Sequence, residues 1–221
     1  MLRSDGNCEV APHISCMGST REQLDALLRR YIDMGIDRLV TLRGDIPVEG
    51  EASGDFRYAN ELVSHIRETT GDHFHIEVAA YPEYHPESPT PEDDFRHFAD
   101  KVRAGASSAI TQYFYNIDAY TRLLDRSADA GLDIDIVPGI MPITNYASLA
   151  RFSDNCGAEI PRWIRKNLEA LQDDKESLFA FGVDVVSDLC DKLLQAGAPG
   201  LHFYTLNQSK ATLAIWEQLN S

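Results

Sequence analysis

The sequence lacks an excess of positive charge. It has 20 lysine and arginine residues against 35 aspartate and glutamate residues, which gives a formal net charge of -15. Nucleic-acid backbones and anionic membrane surfaces are bound chiefly by clustered Lys and Arg side chains. The composition therefore argues against nucleic acid and membranes as partners.

Long apolar runs and paired cysteines are also lacking. No stretch reaches the roughly 18 apolar residues of a membrane span, and the N-terminus has no apolar core of a secretion signal. The cysteines, which are Cys8, Cys16, Cys156 and Cys190, include no C-x-x-C pair. Neither a zinc site nor a disulfide framework is expected, and a reducing, cytoplasmic location is predicted.

The sequence does contain a regular alternation of strand-like and helical patterns. Six strands are predicted near residues 9–16, 38–42, 76–81, 109–115, 134–139 and 201–205, and helical spacing follows each of them. Thr20 with Gln23, and Thr90 with Pro91, are typical helix starts. Such alternation predicts an α/β protein with a parallel sheet.

Polar residues follow all six predicted strands, as in α/β barrels that place their sites at the strand carboxyl ends. No G-x-G-x-x-G follows the first strand, which removes the main support for a dinucleotide-binding open sheet. An eight-stranded barrel takes about 250 residues, so six βα units leave it two short. The pattern favours a barrel without excluding an open sheet.

The strand ends carry the candidate site residues. His13 is either a ligand contact or simply a polar group at a strand end. Arg43-Gly44-Asp45 is either a loop whose glycine lets the backbone approach a ligand, or a turn with a local ion pair.

Two later strand ends add aromatic and amide groups. Tyr81, Glu83 and His85 favour an aromatic-walled pocket over a metal site, because further His or Cys ligands are missing. Gln112, placed within the fourth predicted strand, is either a structural hydrogen-bonding residue or faces a ligand. The aromatic residues 113–115 are interpreted as core.

Several strand-end segments match one family in register: Ala11-Pro12-His13, Leu42-Arg43-Gly44-Asp45, Ala79-Ala80-Tyr81-Pro82-Glu83, His85-Pro86-Glu87, Ile110-Thr111-Gln112, Pro138-Gly139-Ile140 and His202-Phe203-Tyr204-Thr205-Leu206-Asn207. Together they resemble bacterial, flavin-dependent methylenetetrahydrofolate reductase. The resemblance implies a (β/α)8 barrel that holds FAD. It also implies hydride transfer from NADH or NADPH to methylenetetrahydrofolate, in one-carbon and methionine metabolism. It does not distinguish the two nicotinamide donors, and it leaves a homo-oligomer open.

The resemblance also implies roles for individual residues. The expected FAD contacts are His13, Arg43, Gly44, Asp45, Tyr58, Ala59, Tyr81, His85, Asp94, His97 and Lys101. Asp45 is expected to be the catalytic carboxylate beside flavin and folate. Gln112 is expected to bind the pterin, Phe152 to stack on folate and nicotinamide, and Gln208 to contact folate.

The sequence also departs from the family. His97 replaces an asparagine, Asp100 and Gln208 each replace an arginine, and Ser148 replaces a glutamine. The family's first two βα units have no counterpart, so residues 1–221 are expected to form one N-terminally truncated barrel domain. A fragment of a longer enzyme, a chain completed by a partner, and a relative that binds flavin or folate without reducing it are the alternatives.

Overall fold

The computed structural model describes residues 8–44 and 54–221. Its strands are β1 (His13–Ser15), β2 (Arg38–Leu42), β3 (His75–Ala80), β4 (Ser108–Thr111), β5 (Asp135–Val137), β6 (Gly139–Ile140) and β7 (His202–Phe203). Its helices are α1 (Arg21–Asp33), α2 (Ala59–Thr70), α3 (Pro91–Arg103), α4 (Ile117–Asp129), α5 (Tyr146–Cys156), α6 (Arg162–Leu171), α7 (Lys175–Gln195) and α8 (Ser209–Leu219).

The strands form a five-stranded sheet of order β1-β2-β3-β4-β5 and a two-stranded sheet of β6 and β7. The pairs β1–β2, β2–β3 and β6–β7 are parallel. The α/β class with a parallel sheet and about six βα units is confirmed. Within residues 8–44 and 54–221 the strands form these two sheets and not one closed barrel.

Helix starts were predicted well because their signals are local. Thr20 and Gln23 form the expected capping box at the start of α1. The Thr90 hydroxyl accepts a 3.1 Å hydrogen bond from the Asp93 amide and caps α3, which begins at Pro91 as expected. Acidic residues fill the first turn of α3, where they stabilise the positive end of the helix dipole.

The strands predicted near 9–16, 109–115, 134–139 and 201–205 were all too long. The run 134–139 is interrupted at Pro138, because proline has no amide hydrogen to donate to a strand ladder. The fourth strand ends at Thr111, so Gln112 follows the strand and does not lie within it. Tyr113, Phe114 and Tyr115 are buried, as interpreted, but outside any strand.

The chain divides into two compact units. Unit 1 comprises Met1–Ala79 and Arg96–Ala109, and unit 2 comprises Ala80–Phe95 and Ile110–Ser221. In unit 1 the apolar faces of α1, α2 and the central strands are buried, and Leu28, Leu39, Leu62, Ile66 and Ile76 are inaccessible or nearly so. In unit 2 the buried positions include Tyr120, Ile140, Ile164, Leu168 and Leu193.

No helix within the described part of the chain is both long and apolar enough to cross a membrane. The longest of these helices, α7, carries charged residues along its length.

Candidate functional site

Two cationic residues lie near the carboxyl ends of the unit 1 strands. The chain reaches Arg43 directly after β2, and the Lys101 ammonium donates a hydrogen bond to the carbonyl oxygen of Ala79, near the end of β3. The β2 and β3 strands are parallel, so their carboxyl ends lie at the same edge of the sheet. On the neighbouring strand β1, His13 is exposed and pairs in register with Val40. This edge therefore carries local positive charge in an otherwise acidic chain.

The turn after β2 requires glycine. Gly44 has φ of +85°, in the left-handed region that side chains rarely adopt. A Cβ there would overlap the Ser15 hydroxyl oxygen and lie 3.1 Å from its Cβ. The Arg43 Nε donates a 3.2 Å hydrogen bond to the Gly44 carbonyl, which folds the guanidinium back over the same turn. Asp45, the expected catalytic carboxylate, lies outside the described residues.

Two expected cofactor contacts stack on each other in unit 1. The Tyr58 ring lies 6.2 Å from the His97 ring, centroid to centroid, with an interplanar angle of 12°. Tyr58 is 53% exposed and caps α2, which begins at Ala59. The Glu61 carboxylate accepts hydrogen bonds from the amides of Arg57 at 2.7 Å and Tyr58 at 3.2 Å. The helix start thus holds an accessible flat aromatic surface in place.

A second aromatic pair lies in unit 2. The rings of Tyr81 and His85 meet edge-on, with centroids 4.8 Å apart and an interplanar angle of 78°. The His85 Nδ1 accepts a 3.0 Å hydrogen bond from the Glu87 amide. A neutral His85 therefore carries its proton on Nε2, which fixes the donor end of the ring.

Glu83, between these aromatic residues, has a structural contact. Its carboxylate accepts a 2.8 Å hydrogen bond from the amide of Glu159, which lies in the connection between α5 and α6. Burial raises the pKa of Glu83, and the nearby charge of Glu159 raises it further. In the chain segments that the structure covers, no group of three or more His, Cys, Asp or Glu side chains is arranged to hold a metal ion.

Asp94 is buried and hydrogen-bonded within the protein. It is 9% exposed, and its carboxylate accepts a 3.1 Å hydrogen bond from the Ser88 hydroxyl. This bond links the loop after His85 to the first turn of α3. The contact gives Asp94 a role in holding that loop, whichever ligand the loop meets.

Gln112 is oriented by its own backbone. Its side-chain oxygen accepts a 3.0 Å hydrogen bond from the Tyr113 amide, and its main-chain amide donates a 2.8 Å bond to Ala80. Because the oxygen is bound in this way, the NH2 group is the end of the amide that a ligand acceptor would meet. This orientation suits a ligand that offers an acceptor.

The remaining expected folate contacts lie on unit 2 helices. Phe152 projects from α5 and is 40% exposed. Gln208 is the exposed N-cap of α8 and makes no side-chain capping bond. The Ser148 amide donates a 2.8 Å bond to Asn145, which caps α5.

Sequence reasoning missed a buried hydroxyl network beside Gln112. The Tyr113 hydroxyl lies 3.0 Å from the Ser153 hydroxyl and 3.5 Å from the Cys156 sulfur. Burial raises the pKa of Tyr113. The aromatic run was a signal for burial, but its partners lie 40 residues away on α5 and could not be identified without the fold.

Comparison with known proteins identifies the family. The sequence model of the methylenetetrahydrofolate reductase family matches residues 1–220. The 5,10-methylenetetrahydrofolate reductase of Pectobacterium carotovorum subsp. carotovorum is 39% identical over 211 residues, which cover 96% of this chain and 70% of that relative. The chain belongs to the methylenetetrahydrofolate reductase family. The sequence-based identification of the chain as an enzyme of this family is confirmed.

A plant protein and a solved structure also match this member of the methylenetetrahydrofolate reductase family. A protein of Oryza sativa subsp. japonica named "Probable methylenetetrahydrofolate reductase (NADH)" is 38% identical over 221 residues, covering 94% of this chain and 37% of the relative. A solved structure of an uncharacterized Clostridium thermocellum protein that binds two copies of 5-methyl-5,6,7,8-tetrahydrofolic acid matches with a TM-score of 0.65. It is 18% identical and covers 99% of this chain and 76% of that one. The structural likeness supports the fold alone.

Proposed function

We propose that the protein reduces 5,10-methylenetetrahydrofolate to 5-methyltetrahydrofolate, with FAD as its cofactor and NADH or NADPH as the hydride donor. Family membership over residues 1–220 is the observation that carries this proposal. Reduction of methylenetetrahydrofolate is the activity for which the bacterial relatives are named. The flavin and the nicotinamide donor extend the proposal beyond those names.

The residues of unit 1 fit an FAD ligand. FAD has an anionic pyrophosphate and two flat ring systems, so it needs positive charge, donors and aromatic surface. Arg43 and Lys101 supply the charge at the strand ends, and Tyr58 with His97 supplies the flat surface. Gly44, without a side chain, allows close backbone approach. When bound, FAD would supply the hydride transfer itself.

We assign further contacts in unit 2 to the same reaction. Tyr81, His85 and the buried Asp94 are assigned to the cofactor. The side-chain oxygen of Gln112 is already bound to the Tyr113 amide, so its NH2 group is assigned to donate to a pterin carbonyl. The exposed ring of Phe152 suits stacking on pterin or nicotinamide.

Asp45 and Gln208 complete the assignment. A carboxylate at position 45 would place negative charge beside the substrate and favour its cationic iminium form. Gln208 is assigned to folate, where its neutral amide donates hydrogen bonds without the charge of an arginine. His13, which begins β1 and does not end it, is assigned to the cofactor.

A second candidate function is binding of flavin or folate without reduction. Gln208 and Ser148 favour it, because each is a shorter or uncharged replacement for a residue expected to hold folate. In its flavin-binding form, this second function shares a bound flavin with the first and differs from it only in whether folate is turned over.

The purified chain, titrated with FAD, tests the proposal first. Quenched flavin fluorescence and a shifted visible band are expected, followed by FAD-dependent oxidation of NADH or NADPH with menadione as acceptor. Protein that neither retains nor takes up FAD would contradict the reductase and the flavin-binding form of the second function. Menadione reduction without folate turnover would support the second one.

A further inference from the structure

Three hydrogen-bond donors converge on the carbonyl oxygen of Arg43. The Ser15 hydroxyl lies 2.8 Å from it, the Met17 amide 3.0 Å and the Cys16 sulfur 3.3 Å. A carbonyl oxygen has two lone pairs, so this acceptor is fully used. Burial raises the pKa of the Cys16 thiol, which therefore stays protonated and able to donate. The direction of the Arg43 carbonyl is thus fixed from the end of β1.

Ser15 also limits which residue can follow Arg43 in the turn. Its hydroxyl oxygen occupies the space that a Cβ on Gly44 would need. The Gly44 carbonyl in turn accepts the bond from the Arg43 Nε. The Ser15 hydroxyl therefore fixes the Arg43 carbonyl and restricts position 44 to glycine, and the guanidinium is anchored to the next carbonyl, that of Gly44.

The loop that follows Ser15 is itself held in position. The Ser19 amide donates a 3.3 Å bond to the Cys16 carbonyl, and the Asp55 amide donates a 3.1 Å bond to the Ser19 carbonyl. The Asp55 carboxylate accepts a 2.8 Å bond from the Arg21 amide, at the first residue of α1. Ser15, the last residue of β1, is therefore followed by a loop tied to a helix start, and its hydroxyl acts as a fixed donor.

We propose that Ser15 is a positioning residue for flavin binding, which acts through the Arg43–Gly44 turn. Its hydroxyl fixes the Arg43 carbonyl, and with it the peptide group that leads into Gly44, whose own carbonyl anchors the guanidinium assigned to the cofactor's pyrophosphate. This inference rests on the proposed function, since it concerns the same cofactor. It assigns Ser15 no contact with FAD and no part in the chemistry.

Variants at Ser15 test the inference through FAD affinity, measured by quenching of flavin fluorescence. Ser15→Ala removes the hydroxyl and is expected to raise the Kd for FAD about threefold to tenfold, the size of one hydrogen bond. Ser15→Thr keeps the hydroxyl and should stay within about twofold of wild type. Ser19→Ala is the matched control, because its hydroxyl lies 3.4 Å from the Ser15 carbonyl and does not reach Arg43.

A double-mutant cycle shows whether Ser15 acts through Arg43. In an Arg43→Ala background, Ser15→Ala should have little further effect on the FAD Kd, because the guanidinium it positions is gone. Additive losses in the cycle would contradict the proposed route. If Ser15→Ala does not fold, Ser15→Cys keeps the size with a weaker donor, and a Kd equal to wild type would overturn the inference.

The outcomes separate this inference from the proposed function. Wild-type protein that binds no FAD refutes the flavin proposal and the Ser15 role with it. If wild type binds FAD, a Ser15→Ala protein with a lower Tm but the same FAD Kd shows that the hydroxyl is only structural. That result overturns the inference and leaves the proposed function standing.

Discussion

The Tyr204 hydroxyl donates a 2.9 Å hydrogen bond to the carbonyl of Thr111, a residue 93 positions earlier in the chain. The Thr111 hydroxyl accepts a 2.8 Å bond from the Gly139 amide. One residue thus joins the end of β4 to the start of β6 and to the segment after β7. Because Gln112 follows Thr111 directly, this junction supports the residue assigned to the pterin.

Gly139 is predicted to tolerate no side chain. A Cβ there would overlap the Thr111 carbonyl oxygen and lie 2.7 Å from a ring carbon of Tyr204. Gly139→Ala should therefore lower the free energy of unfolding by about 2 kcal/mol or more. Gly200→Ala is the matched control, since nothing lies within 4 Å of its Cβ position. Urea unfolding of both variants decides the matter, and wild-type stability for Gly139→Ala would refute the close packing.

Tyr204→Phe keeps the ring and removes the bond to Thr111. It should cost about 1 kcal/mol at neutral pH. Burial raises the pKa of Tyr204 to about 12 from its ordinary 10.0. The folded state therefore favours the protonated phenol, and this contribution is complete below pH 10 and lost as the pH rises toward 12. The stability gap between wild type and Tyr204→Phe should shrink as the pH rises from 10 toward 12 in urea titrations. A constant gap would count against the raised pKa.

The contribution of Glu83 to stability is expected to depend on pH in the opposite sense to that of a carboxylate in a salt bridge. Glu83→Gln tests this expectation. The raised pKa of Glu83 means that the buried charge destabilises the fold above that pKa. Wild type therefore gains stability as pH falls through that pKa toward 4.5, and loses it as pH rises. The variant, which keeps an acceptor for the Glu159 amide, should be the more stable protein at pH 7.5 and lose that advantage near pH 4.5. A variant that is less stable at pH 7.5 would show that the charged hydrogen bond dominates.

The fold was predictable where its signals are local. The second strand was predicted with its observed bounds, and the Thr20 and Pro91 helix starts are present. Errors arose where distant partners decide the structure. The run 113–115 is aromatic because its side chains contact α4, α5 and the segment after β6, and not because it extends a strand.

For the candidate site, too, the local features could be predicted and the long-range contacts could not. Its residue types could be read from the strand-end segments, but their contacts could not. Ser15 could be linked to Arg43 only once the register of β1 against β2 was known. Likewise, the stacking of Tyr58 on His97 depends on how α2 and α3 pack, which no local pattern encodes.

Tyr58→Leu tests the aromatic surface of unit 1. Loss of the ring should raise the Kd for FAD about threefold to tenfold, the size of one aromatic contact. Trp216→Leu, which removes a 59% exposed aromatic on α8, should leave the Kd unchanged. Equal effects of the two substitutions in a flavin fluorescence titration would contradict the assignment of Tyr58.

Asp45→Asn tests the proposed catalytic carboxylate. The neutral amide should leave FAD bound while slowing folate reduction by about tenfold or more, as expected when a charge that acts on the reacting group is removed. Asp133→Asn, at an exposed position, is the control. Rapid-mixing measurement of the folate half-reaction checks the prediction, and an unchanged rate would remove Asp45 from the chemistry.

Product formation decides whether the protein is an FAD-dependent methylenetetrahydrofolate reductase. Purified protein reconstituted with FAD is incubated without oxygen with NADH or NADPH and 5,10-methylenetetrahydrofolate, and 5-methyltetrahydrofolate is quantified by chromatography. FAD-dependent formation of 5-methyltetrahydrofolate is expected, with one molecule of product for each nicotinamide oxidised. Bound FAD that is reduced by the nicotinamide yet yields no 5-methyltetrahydrofolate at saturating substrate would contradict it.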